Sequence, residues 1–450
     1  MKTSLVLSLF AVALVGAASL FSQSLAQETV RLCIDVDRVV LPAESTERAV
    51  VKIGLDCIRM PRRTERQPVN LALVIDRSGS MGGEKIAQAR EAALAAVRCL
   101  DANDIISIIA FDSTVEIVVP AQRVGRARGL EAAIRGINAR GGTALYGGVS
   151  SGATELRKHI EDGLGVNRVI LLSDGQANEG PSSPEELGRL GHSLMKEGIS
   201  VTTIGLGLGF NEDLMARLAQ RSEGNTYFVE NSADLSRIFA TELGDVLNVV
   251  ARRIVIEIEF PAGVRPLNFV GRAGSIRGQH AELTLSQLYG GQEKFALVEV
   301  EVSPVAAGAE REIARASVRY EDAITQRTST ITAQRKVQFS TDRKTMISSA
   351  DHRVQADYAA NVLAVAKEKA IVLVDSGRKD EAATLLRQRV QELKKIGEVY
   401  SNVAVQASAA AVAPEAERIN REGLDNAQRK SYRAESQQVK AQQNSASSRE

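Results

Sequence analysis

Between residues 69 and 249 the chain alternates short, wholly apolar runs with amphipathic ones, and few folds satisfy that alternation. The runs at 69–75, 105–111, 115–119, 167–173, 199–205 and 225–229 have the length and β-branched content of buried strands. Patterns of helical period fill the intervals, near 84–100, 126–137, 145–160, 184–197, 211–221 and 232–249. This order predicts a doubly wound α/β domain, a mostly parallel sheet with helices on both faces. In such sheets ligands bind outside the C-terminal ends of the strands, so the side chains just past each run are the first functional candidates.

Past the first run stand Asp76, Ser78 and Ser80, in an Asp-x-Ser-x-Ser pattern. At average residue usage that pattern arises by chance roughly once in ten chains of this length, so alone it is no more than a polar turn capping the next helix. Two further loops add to it. Arg140-Gly141-Gly142-Thr143-Ala144-Leu145-Tyr146 is a glycine turn that presents one hydroxyl, Thr143, and the run Arg168–Ser173 ends in Asp174. Three strand-end loops thus offer five oxygen ligands, a donor set suited to a hard cation such as Mg2+.

With these residues, from about 68 to 249, the chain resembles the von Willebrand factor type A, or integrin I-like, domain. Ile204-Gly205-Leu206-Gly207 and Asn211-Glu212-Asp213-Leu214 look like the secreted bacterial branch of that family. The resemblance implies a metal-ion-dependent adhesion site in which Ser78, Ser80 and Thr143 supply hydroxyl ligands and Asp76 and Asp174 supply carboxylates that often act through water. It implies Mg2+ in the first place, with Mn2+ or Ca2+ as alternatives. The partner it implies is another protein, whose Asp or Glu carboxylate completes the octahedron.

Composition narrows the partners further. With 56 basic and 55 acidic side chains there is no electrostatic footprint for nucleic acid, and with no Trp and 4% aromatic residues there is no stacking platform. Residues 1–26 read as a signal peptide: Lys2, an apolar region from Leu5 to about Phe21, then Ser24-Leu25-Ala26. The protein is therefore expected outside the cytoplasm, periplasmic or secreted, with an uncleaved anchor as the alternative. No later segment reads as a transmembrane helix. Cys33 and Cys57 flank a turn near Pro42–Ser45 and are either a disulfide across a hairpin or two buried thiols, whereas Cys99 reads as a small core residue.

The flanking regions have other periods. Residues 27–67 carry two β-prone runs and a charged linker, and 250–340 alternate with period two, as in Ile254, Ile256, Ile258 and Phe260. Neither region holds enough strands alone, so both are expected to form one β-sandwich into which 68–249 is inserted. Residues 345–400 read as a helical hairpin, and the Ala-, Gln- and Ser-rich 401–450 as a disordered tail. Gly205-x-Gly207-x-Gly209 lacks the spacing of a dinucleotide fingerprint, and His159, His192, His280 and His352 lack metal-ligand spacing. The expected function is metal-dependent protein binding rather than enzymatic activity. The alternatives are a metal-dependent hydrolase, for which no general base stands beyond Asp76 and Asp174, and a structural envelope protein with an unused site.

Overall fold

Residues 29–57, 68–160, 166–174, 177–230 and 234–443 are described by the structure, a computed structural model. The expected signal peptide and the linker around residues 61–67 lie outside them. The chain begins with β1 (Val30–Val36), β2 (Val40–Pro42) and β3 (Glu47–Cys57). The alternating region follows as β4 (Val69–Asp76), α1 (Glu84–Arg98), β5 (Ile105–Phe111), β6 (Val115–Arg123), α2 (Leu130–Arg135), α3 (Leu145–Arg157), β7 (Val166–Ser173), α4 (Pro184–Lys196), β8 (Ile199–Leu206), α5 (Glu212–Ser222), β9 (Thr226–Val229) and α6 (Leu235–Val246). Next come β10 (Val249–Glu259), β11 (Val264–Val270), β12 (Ser275–Arg277), β13 (His280–Tyr289), β14 (Glu293–Val302), β15 (Glu310–Asp322) and β16 (Thr328–Ser340). The C-terminal part is helical: α7 (Arg343–Ser348), α8 (His352–Asp375), α9 (Lys379–Val399), α10 (Val403–Glu422) and α11 (Asn426–Lys440).

The α/β unit is one sheet of order β6-β5-β4-β7-β8-β9, parallel throughout except for the antiparallel β5–β6 pair. Both faces are covered. Leu71, Leu73 and Ile75 of β4 pack toward α1 and α6, while Ala72 and Val74 pack toward α3, which is why the run is apolar without alternation. The chain leaves β4 toward β5 and β6, then returns to β7 on β4's other side. The strand order therefore reverses between β4 and β7, and a crevice opens at their C-terminal ends.

The flanking strands form two packed sheets, β1-β3-β14-β11 and β12-β13-β10-β15-β16-β2. One core joins them: Val51, Ile53 and Leu55 from before the α/β unit meet Ile254, Ile256, Val298, Val300 and Val318 from after it. The first sheet's other face is covered by α8, whose Val354 and Tyr358 pack on Val50, Phe295 and Leu297.

Two expectations need correction. From residue 401 the chain is not a disordered tail: α10 and α11 return over α8 and α9, and only 444–450 lie outside the described residues. Val405, Ala409, Val412, Ala416 and Ile419 form a buried stripe at helical spacing. Ala-rich composition reads as low complexity, yet Ala is the strongest helix former and lets helices approach closely. The second correction concerns Cys99, which stands exposed just past α1 rather than in the core; for Cys33 and Cys57 the strand register decides between the two alternatives. In the β1–β3 ladder Cys33 lies opposite Gly54 and Cys57 opposite Val30. An offset of three residues separates the two cysteines along the strands by about 10 Å and turns them to opposite faces, beyond disulfide reach. Neither forms a disulfide, and burial pushes the Cys57 thiol well up.

Two measurements follow. Thiol counting on denatured protein without reductant should find three free thiols, and a count of one would restore the bridge. The isolated segment 68–249 holds both of its own cores and should unfold cooperatively on heating, whereas 250–340, deprived of β3, should show no cooperative transition.

Candidate metal centre

At the C-terminal end of β4, the Asp76 carboxylate is fully buried and held on both oxygens. The Ser78 N–H donates to Oδ1 at 2.7 Å, and the Ser173 hydroxyl at the end of β7 donates to Oδ2. The Ser78 and Ser80 hydroxyls stand 3.1 Å apart, and Ser80 Oγ donates to Asp174 Oδ1 at 2.9 Å. Four of the five expected ligands thus form one connected cluster across the β4/β7 crevice. Its floor, Asp76, Ser78 and Asp174, is buried, and Ser80 is exposed at the mouth.

Thr143 comes from the loop before α3 and is buried beside this cluster; its hydroxyl makes no hydrogen bond to the other four among the described residues. The backbone around it is pinned from several sides. Its N–H donates to Asn178 Oδ1 at 2.8 Å and its carbonyl accepts from the Asn178 N–H at 3.2 Å. Gly79 N–H donates to the Gly141 carbonyl at 3.0 Å, and Arg140 N–H to the Arg77 carbonyl at 2.6 Å, so the hydroxyl-bearing loops are bonded to each other. Gly141 adopts a φ of 69°, and a Cβ there would stand 3.2 Å from the Asp112 Cβ. The positive φ favours glycine, and a Cβ would also force its neighbours to shift by a few tenths of an ångström.

Two side chains at the site were not singled out in the sequence. Asp112, just past β5, takes Arg77 Nε at 2.7 Å and Arg140 Nε at 2.8 Å, and its Oδ1 accepts from Thr114. Burial alone would raise its carboxyl, but the Arg140 and Thr114 hydrogen bonds and the Arg77 charge hold it well below the usual carboxylate range. It ties the Asp76 loop to the Thr143 loop. The strand-end rule that found Asp76 and Asp174 applies equally to Asp112. The second is Lys85, on the first turn of α1, whose ammonium rests on Asp174 Oδ2 and donates to the Ser80 carbonyl at 3.2 Å. Burial, with the neighbouring Asp174 charge, raises the Asp76 carboxyl against the lowering effect of its Ser173 and Ser78 hydrogen bonds.

The donor set fits a hard divalent cation. Oxygen ligands at 2.0–2.1 Å in an octahedron stand about 2.9 Å from their neighbours, and the Ser78–Ser80 and Ser80–Asp174 oxygens are 3.1 and 2.9 Å apart. Among the described residues no group of three or more His, Cys, Asp or Glu side chains is placed to hold a metal. A cation at this site would therefore depend on hydroxyl oxygens beside the two carboxylates, a hard-oxygen set.

The model of the von Willebrand factor type A domain matches residues 70–241. Domains of that type are in general interaction modules that bind protein partners, often through a divalent cation, rather than enzymes. The chain is 29% identical over 340 residues to an uncharacterized protein of Synechocystis sp., covering 72% of this chain and 78% of that one. It is also 29% identical over 201 residues to inter-alpha-trypsin inhibitor heavy chain H3 of Rattus norvegicus, covering 43% of this chain and 22% of that one. Among solved structures, a von Willebrand factor type A protein from Catenulispora acidiphila superposes with a TM-score of 0.62 at 16% identity, over 86% of this chain and 96% of that one. That likeness is one of fold, and it extends past the α/β unit into the flanking strands and helices. Residues 70–241 are therefore a von Willebrand factor type A domain, carried between the strands of a β-sandwich.

Proposed function

We propose that the protein acts outside the cytoplasm as a metal-dependent protein-binding module, in adhesion or envelope assembly, receiving a partner's Asp or Glu carboxylate at Asp76, Ser78, Ser80, Thr143 and Asp174. The observation that carries this reading is the cluster itself: two buried carboxylates and exposed Ser80 joined by oxygen contacts near 3 Å at a sheet's switch point. A bound divalent cation, Mg2+ first and Mn2+ or Ca2+ as alternatives, supplies the Lewis acidity that attracts the incoming carboxylate. Asp76 and Asp174 provide the negative charge, the three hydroxyls add neutral oxygens, and Ser80 lies where a partner arrives. Neutral ligands leave the cation partly uncompensated, which favours an external anion over a further internal one. Export rests on the character of residues 1–26, and no helix among the described residues is long and apolar enough to cross a membrane.

The reading is tested with the full chain immobilised and exposed to envelope extract in Mg2+ or in a chelator. A partner retained in Mg2+, released by chelation and not retained by Asp76→Ala is the expected result; retention indifferent to chelation would reject it. By calorimetric titration with Mg2+, Asp76→Ala should weaken binding on the order of 100-fold while the thermal midpoint stays within a few degrees. Lys85→Met should do the opposite. The Lys85 ammonium competes with a cation for Asp174, and its removal should tighten Mg2+ binding by roughly three- to tenfold. Unchanged affinity in that variant would mean that Lys85 yields its place without cost.

A further inference from the structure

At the other side of the α/β unit a cavity of about 370 Å³ opens where three parts of the molecule meet. Its walls come from α4 and α5, from β13 and β14, and from the end of α11. The volume is within the range of small-molecule sites. Its lining is unbalanced in charge: Arg217, Arg221, Arg272 and Lys294 surround a single carboxylate, Glu223, while a fifth cation, Lys440, is already paired with Glu368.

The donors outnumber the acceptors as well. Arg217 and Arg221 stand one turn apart on the exposed side of α5, and among the described residues neither has a carboxylate partner. Lys294 spends two donors on the Ala441 and Gln442 carbonyls, at 2.5 and 3.0 Å, and Arg272 uses Nε and Nη2 on Gln442 Oε1 and the Ala441 carbonyl, both at 2.7 Å. A third Lys294 donor and Arg272 Nη1 are left over. Gln443 is 3% exposed, its Oε1 accepts from the Thr226 N–H at 3.3 Å, and its Nε2 has no acceptor. Glu223 is already engaged by the Ser286 N–H. Buried donors are as a rule paired, so these leftover donors leave the cavity short of acceptor oxygens.

We propose that this cavity binds a phosphate-bearing small molecule, held by the Arg217 and Arg221 guanidinium groups at the rim and by Lys294, Arg272 and Gln443 at the floor. A monocarboxylate offers one charge and two oxygens, whereas a phosphate monoester offers nearly two charges and three oxygens and matches both the excess of cations and the forked geometry of arginine. Burial, and next the charge of Arg272, lowers the Lys294 ammonium to about 7, outweighing the opposite pull of the Asp245 and Glu223 carboxylates. The site is separate from the metal centre, which lies at the C-terminal ends of β4 and β7.

The test uses the full-length protein in thermal-shift and calorimetric titrations with inorganic phosphate, glycerol 3-phosphate and acetate at constant ionic strength. Saturable stabilisation by either phosphate compound but not by acetate is expected, and a tighter response to glycerol 3-phosphate would identify an ester as the preferred form. The double variant Arg217→Gln/Arg221→Gln keeps the aliphatic stems that pack on α4, so its midpoint without ligand should match the parent and its phosphate affinity should fall at least tenfold. A response that does not saturate, or one that is equal in parent and double variant, would overturn the proposal.

Discussion

The ladder between β3 and β14 is the interaction on which the rest depends. Ten register pairs, from Glu293↔Asp56 to Val302↔Glu47, join strands that lie on either side of the α/β unit in sequence. Closing so long a loop carries a modest entropic cost, because that cost grows only with the logarithm of loop length. The cost is smaller still when the intervening chain folds alone with its ends together. Both ends of the insertion meet at one turn: Cys57 exchanges backbone hydrogen bonds with Gln292 and Gly291, at 3.1 and 3.0 Å, and Asn248 accepts from Gly290 N–H at 2.8 Å. The inserted domain is thus mounted on the β13–β14 turn, with its metal-site edge free of the sandwich.

Electrostatics rather than apolar burial fasten α11 across this mount. Near its N-terminus Arg429 pairs with Asp213 and Asp375 at 2.6 Å, Arg433 with Asp213 at 2.5 Å, and Lys430 reaches Glu212 and the Phe210 carbonyl. At the other end Lys294 and Arg272 take the final carbonyls, where a helix dipole favours cations. The Lys430–Glu212 pair is nearly enclosed, with side chains 6% and 8% exposed. Removing one partner of such a pair costs ~3–5 kcal/mol because the other charge is left buried, so the strap is sensitive to single substitutions although it contributes little to the apolar core.

This explains what was legible in the sequence. Strands buried on both faces, such as Val69–Ile75, and helices with apolar stripes announce themselves through periodicity, and the strand-end rule points to Asp76, Ser78, Ser80 and Asp174 before any coordinates. Thr143 needed the family resemblance as well, because its loop precedes a helix rather than ending a strand. Lys85 was hidden because its role depends on α1 turning its first residues back toward β7. The α11 helix was hidden for a physical reason of another kind. Its fixing contacts are ion pairs to residues distant in sequence, those to Glu212 and Asp213 over 200 positions away, which no local pattern records. The cysteine register depended on the spacing of β2 and the turn, and a shift of a residue or two reverses which face a side chain takes.

The metal dependence proposed for the site follows from sign as much as from geometry. With both carboxylates ionised, Asp76, Asp174 and the ammonium of Lys85 together leave one unit of negative charge in a crevice whose floor is shielded from water. A partner carboxylate is repelled by such a crevice, and the repulsion is larger there than in bulk solvent because the effective dielectric constant is lower. Two added positive charges reverse the local sign. The cluster of hydroxyls is then the economical choice of ligand, since a third or fourth carboxylate would bind the cation more tightly but cancel the positive field that an incoming carboxylate needs. Asp112 belongs to the same logic from one step away. Together with Glu116 it neutralises Arg77 and Arg140 beside the cluster, tying the loops together without spending a further carboxylate on the site itself.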